Sequence, residues 1–160
     1  MMQDGYNAFR YSIENGLAFM SLLSICEQNP PTVPVDATAA DAIRQMLEHH
    51  VGAVTVVDSN IVVAGIFTER DVMRRLSLSG LDPNATPIRD VMTTPVELAT
   101  ELTSEGEALS IMLERHYRHL PIVDHDGRLI GMLAMRHVLE ARIDDLVHQL
   151  ERARARSKVM

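Results

Sequence analysis

The sequence contains two copies of one pattern, and the second copy begins 66 residues after the first. Residues 36–72 align without a gap with residues 102–138, and ten of these 37 positions are identical. Segments of ordinary composition would share only about two positions by chance, roughly one in twenty. The repeat predicts two copies of one supersecondary unit that bury their apolar faces against each other. The identical pairs are Ala42/Ala108, Met46/Met112, Leu47/Leu113, Glu48/Glu114, His50/His116, Val57/Val123, Asp58/Asp124, Gly65/Gly131, Arg70/Arg136 and Val72/Val138.

Each copy is predicted to form a strand, a helix, two hairpin strands and a second helix. Thr38 and Ser104 are each followed three residues later by an acidic side chain, which is the pattern of a capping box at a helix start. Apolar residues at helical spacing come next, and then two β-branched or aliphatic runs separated by a polar turn. The second helix of the first copy is predicted to start near Thr68. The leading strands are predicted at residues 32–35 and, less distinctly, at residues 96–102.

Two further segments flank the repeats. Residues 1–21 have apolar side chains at roughly helical spacing and are predicted to form a leading helix. Residues 143–160 are predicted to extend the last helix, because apolar residues follow each other at steps of 4, 3, 4 and 3, as in a coiled-coil seam. This extension could pair with a second subunit or fold back on its own domain. The seam residues are Leu139, Ile143, Leu146, Leu150 and Ala153.

Composition excludes several classes of protein. The 160 residues carry a net charge of −7, and residues 1–138 account for −8 of it, which disfavours binding to nucleic acid. The single cysteine, Cys26, excludes an internal disulfide framework and indicates a reducing compartment. The longest uncharged apolar run has 11 residues, too few to span a membrane. We therefore expect a cytoplasmic protein with no membrane partner.

The repeated pattern resembles the CBS domain. The resemblance rests on residues 50–58 and 65–71 in the first copy, on residues 117–124 and 131–133 in the second, and on the segment 88–96 that precedes the second copy. It implies an α+β fold in which CBS repeats at residues 22–80 and 85–142 pack about a pseudo-two-fold axis as a Bateman module. Such modules generally sense adenosine-containing ligands and rarely catalyse reactions, so the resemblance implies no enzyme.

The resemblance also implies a ribose site at Thr68-x-x-Asp71. A carboxylate can accept hydrogen bonds from both vicinal ribose hydroxyls. The alternative is that Thr68 only caps the helix and Asp71 complements its dipole. The second copy has Ala134 and His137 at the same positions, so we expect one competent site and one degenerate site.

Residues of both copies are expected to complete the nucleotide site. Three segments contribute: adenine would lie against the backbone of residues 117–119 near Thr94, Arg136 and His137 would reach the phosphates, and residues 51–53 would line the phosphate side. The basic side chains could instead be exposed or ion-paired at the surface. The candidate nucleotide-binding residues are Thr68, Arg70, Asp71, Val51, Gly52, Ala53, Thr94, Tyr117, Arg118, His119, Arg136 and His137.

The favoured hypothesis is a regulatory module that senses AMP, ADP or ATP and passes the bound state to a homodimer or to an unknown effector protein. S-adenosylmethionine or NAD could replace the nucleotide, since both present adenosine. A protein-interaction module with empty cavities is the main alternative, and nucleic-acid binding is disfavoured by charge. No required cofactor is predicted. No metal site is predicted, because the histidines lack the spacing of zinc motifs; they are His49, His50, His116 and His119.

Overall fold

The computed structural model of the chain describes residues 21–157. The leading helix predicted for residues 1–21 therefore lies outside the described residues, except for Ser21. The first repeat, preceded by α1 (Leu22–Ile25), consists of β1 (Thr32–Pro34), α2 (Ala39–Glu48), β2 (Ala53–Val57), β3 (Val63–Thr68) and α3 (Glu69–Asp71), which continues as a π-helix over Val72–Ser77.

The second repeat has the same order of elements. It consists of α4 (Ile88–Val91), β4 (Ala99–Thr100), α5 (Glu105–Glu114), β5 (His119–Val123), β6 (Leu129–Ala134) and α6 (Met135–Ser157). The predicted α+β fold with strand, helix, two strands and helix in each copy is confirmed. The leading strand of the second copy is only two residues long, which explains why its sequence pattern was indistinct.

The two sheets have the same topology and matching registers. In each sheet the leading strand runs parallel to the central strand, which pairs antiparallel with the third. Val33 lies opposite Val56 in the first sheet, and Ala99 lies opposite Ile122 in the second. Both hairpins also change register at equivalent positions, Val56/Val57 and Ile122/Val123. Because these pairs are 66 residues apart, the duplication extends to backbone hydrogen bonding.

The first helix of each repeat begins and ends with equivalent local structures. Thr38 and Ser104 both form the predicted capping boxes. The hydrogen bonds donated by the Thr38 amide and hydroxyl lower the pKa of Asp41 to about 2. After each helix, His50 and His116 adopt left-handed backbone conformations, with φ of 53° and 56°. Histidine tolerates this region better than most residues, so the identity of these two positions reflects helix termination.

The segment leading into each repeat packs into the core of the other repeat. Leu22, which precedes the first repeat, is fully buried among residues of the second. Ile88 and Val91, which precede the second repeat, lie in the core of the first, beside the fully buried Phe67. The two repeats therefore exchange short helices. The predicted bounds of the first repeat, residues 22–80, include Leu22, but the side chain of Leu22 packs in the core of the second repeat.

The repeats meet along their third strands around an approximate two-fold axis. An antiparallel bridge joins Val62, directly before β3, to Arg128, directly before β6. Two further bridges, from Glu27 to Met132 and symmetrically from Thr93 to Ile66, join each leading segment to the third strand of the other repeat. Across the axis, a small buried cluster contains Ala53, Ile66 and Met132, and therefore residues of both repeats. These contacts leave a cleft on either side of the axis, where the second helix of one repeat faces the other repeat.

The last helix, α6, leaves the body of the protein. Val138 is its only buried residue, and every side chain from residue 146 to residue 157 is exposed. Arg142 Nε lies 2.9 Å from Glu105 Oε1 and joins the first half of the helix to α5. The alternative in which the extension folds back on its own domain is not seen. Within residues 21–157, no helix is both long and apolar enough to cross a bilayer.

Candidate functional site

The candidate site is a cavity of about 420 Å³ between the two repeats. Its volume falls within the range of roughly 300–1,000 Å³ that is typical of small-molecule sites. One wall comes from the start of α3 and the π-helix, and the opposite wall comes from residues 93–97 and 116–119. The lining residues are Gly52, Ile66, Thr68, Glu69, Arg70, Asp71, Met73, Arg74, Arg75, Thr93, Pro95, Val96, Glu97, His116, Tyr117, Arg118 and His119.

Asp71 lies at the edge of this cavity and is only 7% exposed. Its Oδ2 accepts hydrogen bonds from the Thr68 amide at 3.0 Å and from the Thr68 hydroxyl at 2.8 Å. Its Oδ1 accepts from the Thr93 hydroxyl at 3.2 Å and lies 3.5 Å from Arg75 Nε. Asp71 therefore caps the helix and also presents a carboxylate oxygen beside the cavity, so the two interpretations of the motif are compatible.

Arginine side chains from both repeats line the same cavity. Arg70 donates to the His116 carbonyl at 3.3 Å and so connects α3 to the second repeat. Arg75 donates to the carbonyls of Val91 and Met92. Arg74 and Arg118 complete the set of four guanidinium groups, and both are exposed. A concentration of guanidinium groups in a cavity suits a ligand that carries phosphate.

Sequence reasoning missed several residues of the cavity. It proposed Thr94, whereas the neighbouring residues Thr93 and Pro95 line the cavity and Thr94 does not. It also passed over Arg74 and Arg75, which follow Asp71 by three and four residues. That helical spacing was the available signal, because it places all three on one side of a helix. The cavity also contains the carboxylates of Glu69 and Glu97, which no sequence motif had indicated as ligand-binding residues.

A second, smaller cavity of about 180 Å³ lies at the pseudo-symmetric position. It contains Val51, Ala53, Arg136 and His137, which sequence reasoning had grouped with Asp71. The structure places these residues in a different cavity from Asp71, because the two-fold arrangement puts the start of α6 on the opposite side of the axis from α3. Most of its lining residues are repeat equivalents of residues in the first cavity; they are Glu27, Pro30, Pro31, Val51, Gly52, Ala53, Arg118, Met132, Ala134, Met135, Arg136 and His137.

His137 replaces the carboxylate of Asp71 in the second cavity. Its Nδ1 accepts a hydrogen bond from the Ala134 amide at 3.2 Å, as Asp71 accepts from Thr68. Burial lowers the pKa of His137, and the charge of Arg136 adds to this effect. The neutral ring has one acceptor nitrogen, which the backbone already occupies. The second cavity is therefore smaller than the first and has no carboxylate at the position of Asp71.

Three residues line both cavities: Gly52, Arg118 and His119. Gly52 and Arg118 occupy equivalent positions in the two repeats. A Cβ atom at Gly52 would lie 3.2 Å from both Glu69 Oε2 and His119 Cε1, so the backbone approaches these side chains closely. Arg118 and His119 therefore contribute a guanidinium group and an imidazole to both cavities. Gly52, the equivalent of Arg118 in the first repeat, contributes no side chain.

His119 should stay uncharged well below neutral pH. Burial lowers its pKa to about 4, and the charges of Arg136, His137 and Arg118 contribute in that order. Because the unfolded chain binds this proton near pH 6.5 and the folded chain only near pH 4, the free energy of unfolding should fall as the pH drops between these values. NMR titration of the His119 Cε1 proton measures the pKa directly.

A matched control isolates the contribution of His119. In His119→Gln, the stability loss between pH 6.5 and 4 should be smaller than in the native chain, while the effect of His137 remains in both. A His119 titration midpoint at or above 6.5 would contradict the expectation, because it would show that the ring is well solvated.

Within residues 21–157, one group of three side chains is close enough to hold a metal ion: Asp124, His125 and Asp126. It forms the polar turn between β5 and β6. Asp124 Oδ1 accepts from the amides of Asp126 and Arg128, both at 2.9 Å. These hydrogen bonds are those of a hairpin turn, as the sequence predicted.

The fold and the paired inter-repeat cavities define a class of protein, the tandem CBS pair. A family model for the CBS domain matches residues 23–78 and again residues 88–144. The chain belongs to the CBS-domain family. Proteins built from such pairs are regulatory modules, and most of them are not enzymes.

Curated relatives and solved structures agree with this assignment. A 17.7 kDa protein of Acidianus ambivalens is 38% identical over 119 residues, which cover 74% of this chain and 70% of that protein. The mitochondrial CBS domain-containing protein CBSX3 of Arabidopsis thaliana is 34% identical over 125 residues, covering 75% of this chain and 60% of CBSX3.

Two solved structures are also similar. A CBS-domain protein from Burkholderia ambifaria MC40-6 has 32% identity and a TM-score of 0.73, over 79% of this chain and 96% of its own. The structure of CBSX2 in complex with AMP has 25% identity and a TM-score of 0.66, over 78% of this chain and 96% of its own.

Proposed function

We propose that this chain is a regulatory module that binds an adenosine-containing nucleotide in the cavity around Asp71. The observation that carries the proposal is a buried carboxylate at the edge of an inter-repeat cavity of ligand size, with guanidinium groups in the same cavity. The complex of the similar protein CBSX2 with AMP supports this choice of ligand. AMP, ADP and ATP share the adenosine moiety and differ in the number of phosphates.

The chemistry of the cavity suggests how such a ligand is held. Ribose hydroxyls would donate to Asp71 Oδ1, where the Thr93 hydroxyl and Arg75 are the present partners. Adenine would lie against the apolar surface of Ile66 and Val96. The phosphates would be bound by Arg70, Arg74 and Arg118, of which the last comes from the second repeat.

Binding at this place would couple the ligand to the arrangement of the repeats. The first repeat contributes Asp71 and the second contributes Arg118, so a ligand that contacts both favours one relative position of the repeats. A ligand shifts such an equilibrium by its difference in affinity for the two arrangements. The bound state would then pass to an effector protein or to a second copy of the chain.

A ligand screen by thermal unfolding tests the proposal. The full chain is melted with AMP, ADP, ATP, S-adenosylmethionine and NAD, and with guanine and uridine nucleotides as controls. At a ligand concentration about 100 times the dissociation constant, binding stabilises the folded state by about 2.7 kcal/mol, which raises the melting temperature by several degrees. A larger shift with adenosine ligands than with the controls supports the proposal.

A protein-interaction module without nucleotide is the second candidate. It is favoured by the internal partners of Asp71, because the Thr68 and Thr93 hydroxyls and Arg75 already occupy much of the carboxylate's acceptor capacity. The same screen separates the two functions. An absence of shift with all five adenosine ligands would reject the sensor and leave the interaction module.

A further inference from the structure

From Leu139 to Leu150, α6 presents an apolar stripe that nothing in residues 21–157 covers. Its five members lie at coiled-coil spacing along one side of the helix. Their exposed fractions are large for apolar side chains: Leu139 56%, Ile143 60%, Leu146 58%, Val147 46% and Leu150 59%.

The two ends of this stripe also carry opposite charges. Three acidic residues and one basic residue lie between positions 140 and 145, and three basic residues and one acidic residue lie between positions 151 and 156. The first group therefore has a net charge of −2 and the second a net charge of +2. Two such helices attract each other when they run in opposite directions, and repel end to end when they run in the same direction.

We propose that the α6 stripe is a homodimer interface in which two copies of α6 pair antiparallel. In the register that opposes Leu146 to the partner's Leu150, Ile143 faces the partner's Ala153. Val147 then meets its own equivalent at the two-fold axis. On one flank Glu140 lies beside the partner's Arg154, so that each dimer has two such ion pairs. On the other flank Arg142 lies beside the partner's Arg156, but the charge of Arg142 is already paired with Glu105.

Parallel pairing lacks these complementary contacts. The flanking positions would place Arg142 beside the partner's Val147 and Gln149 beside the partner's Arg154. The acidic segment 140–145 would also face its own equivalent. Charge therefore selects the antiparallel orientation, while the apolar stripe provides most of the affinity.

The first test measures the oligomeric state of the full chain by sedimentation velocity. The native chain should be a dimer, and the Leu146→Glu/Leu150→Glu variant should dissociate at least about 100-fold more readily, because two buried leucines are lost from each copy. Leu102→Glu is the matched control, since Leu102 is 92% exposed on the turn after β4 and is not a member of the stripe. It should leave the dimer unchanged.

Two results would overturn the interface. A monomeric native chain would show that the stripe binds no second copy. A dimer that survives Leu146→Glu/Leu150→Glu would place the contact on another surface, such as the exposed and repeat-equivalent Leu47 and Leu113.

The second test addresses the orientation. Glu140→Arg and Arg154→Glu should each weaken the dimer severalfold, and the double variant should restore it. In a Cys26→Ala background, Val147→Cys should be joined between copies by a short bismaleimide, whereas Leu139→Cys should not be. The reverse cross-linking result would indicate parallel helices and reject the antiparallel arrangement.

This inference concerns assembly and goes beyond the proposed nucleotide binding. The Leu146→Glu/Leu150→Glu variant should keep the thermal shift of the native chain with AMP, because these side chains are on the part of α6 that leaves the body. A monomeric native chain that still binds AMP would reject only the interface, whereas a native α6 dimer that shows no shift with any adenosine ligand would reject only the nucleotide binding.

Discussion

Asp71→Ala is expected to weaken the binding of an adenosine ligand at least tenfold. Hydrogen bonds to a charged group contribute about 1.5–3 kcal/mol each, so the loss of one such bond corresponds to a factor of about 10 to 150. The carboxylate is 7% exposed and lies at the cavity edge, where water replaces its contacts poorly. Isothermal titration calorimetry with the ligand selected by the thermal screen measures the effect.

The first helix of the same repeat supplies a matched control for this variant. Asp41 accepts hydrogen bonds from the Thr38 amide and hydroxyl, at 2.8 Å and 2.7 Å, as Asp71 does from Thr68. It does not line the inter-repeat cavity. Asp41→Ala therefore removes the same type of helix cap and should leave ligand affinity within about twofold of the native value.

Unchanged affinity in Asp71→Ala would remove the ribose-binding role from this residue. Equal losses in Asp71→Ala and Asp41→Ala would attribute the effect to helix capping. His137→Ala should have a smaller effect than Asp71→Ala, because His137 lines only the smaller cavity.

Phe67→Ala should cost about 3–5 kcal/mol in the free energy of unfolding. Phe67 is fully buried in the core of the first repeat, one residue before Thr68, and lies opposite Val54 in the sheet. Since domains of this size are stable by only about 5–15 kcal/mol, the variant should be close to unfolding at 37 °C. Urea denaturation measures the difference.

Phe67→Leu is the matched control, because the second repeat has Leu133 at the equivalent position. It should cost only about 1–1.5 kcal/mol, since leucine keeps most of the apolar volume. Similar losses in both variants would show that the core around Phe67 cannot adjust, or that the aromatic ring itself is required.

Much of the fold could be predicted from the sequence because its determinants are local. Thr38, Ser104 and Thr68 each cap the helix that follows, and in each case the partner is three residues away. The hairpins were predictable from apolar runs around a polar turn. The exchange of Leu22 and Ile88 between cores was not, because an apolar residue carries no information on which of two similar cores it enters.

The candidate site was predictable only in part. Thr68, Asp71, Arg118 and His119 do meet at one cavity, because the motif and the repeat placed them at helix and strand ends. Arg136 and His137 were assigned to the same ligand, whereas the structure places them in a separate cavity.

By itself, the sequence determined the duplication, the capped helices, the paired strands and the presence of Asp71 in only one of the two copies. Each depends on residues close along the chain or on positions compared between the two copies. Only the tertiary structure decided that Gly52 and Arg118 serve both cavities and that α6 leaves the body with its apolar stripe exposed. These features depend on where the two-fold axis passes, which is set by packing between residues distant in sequence.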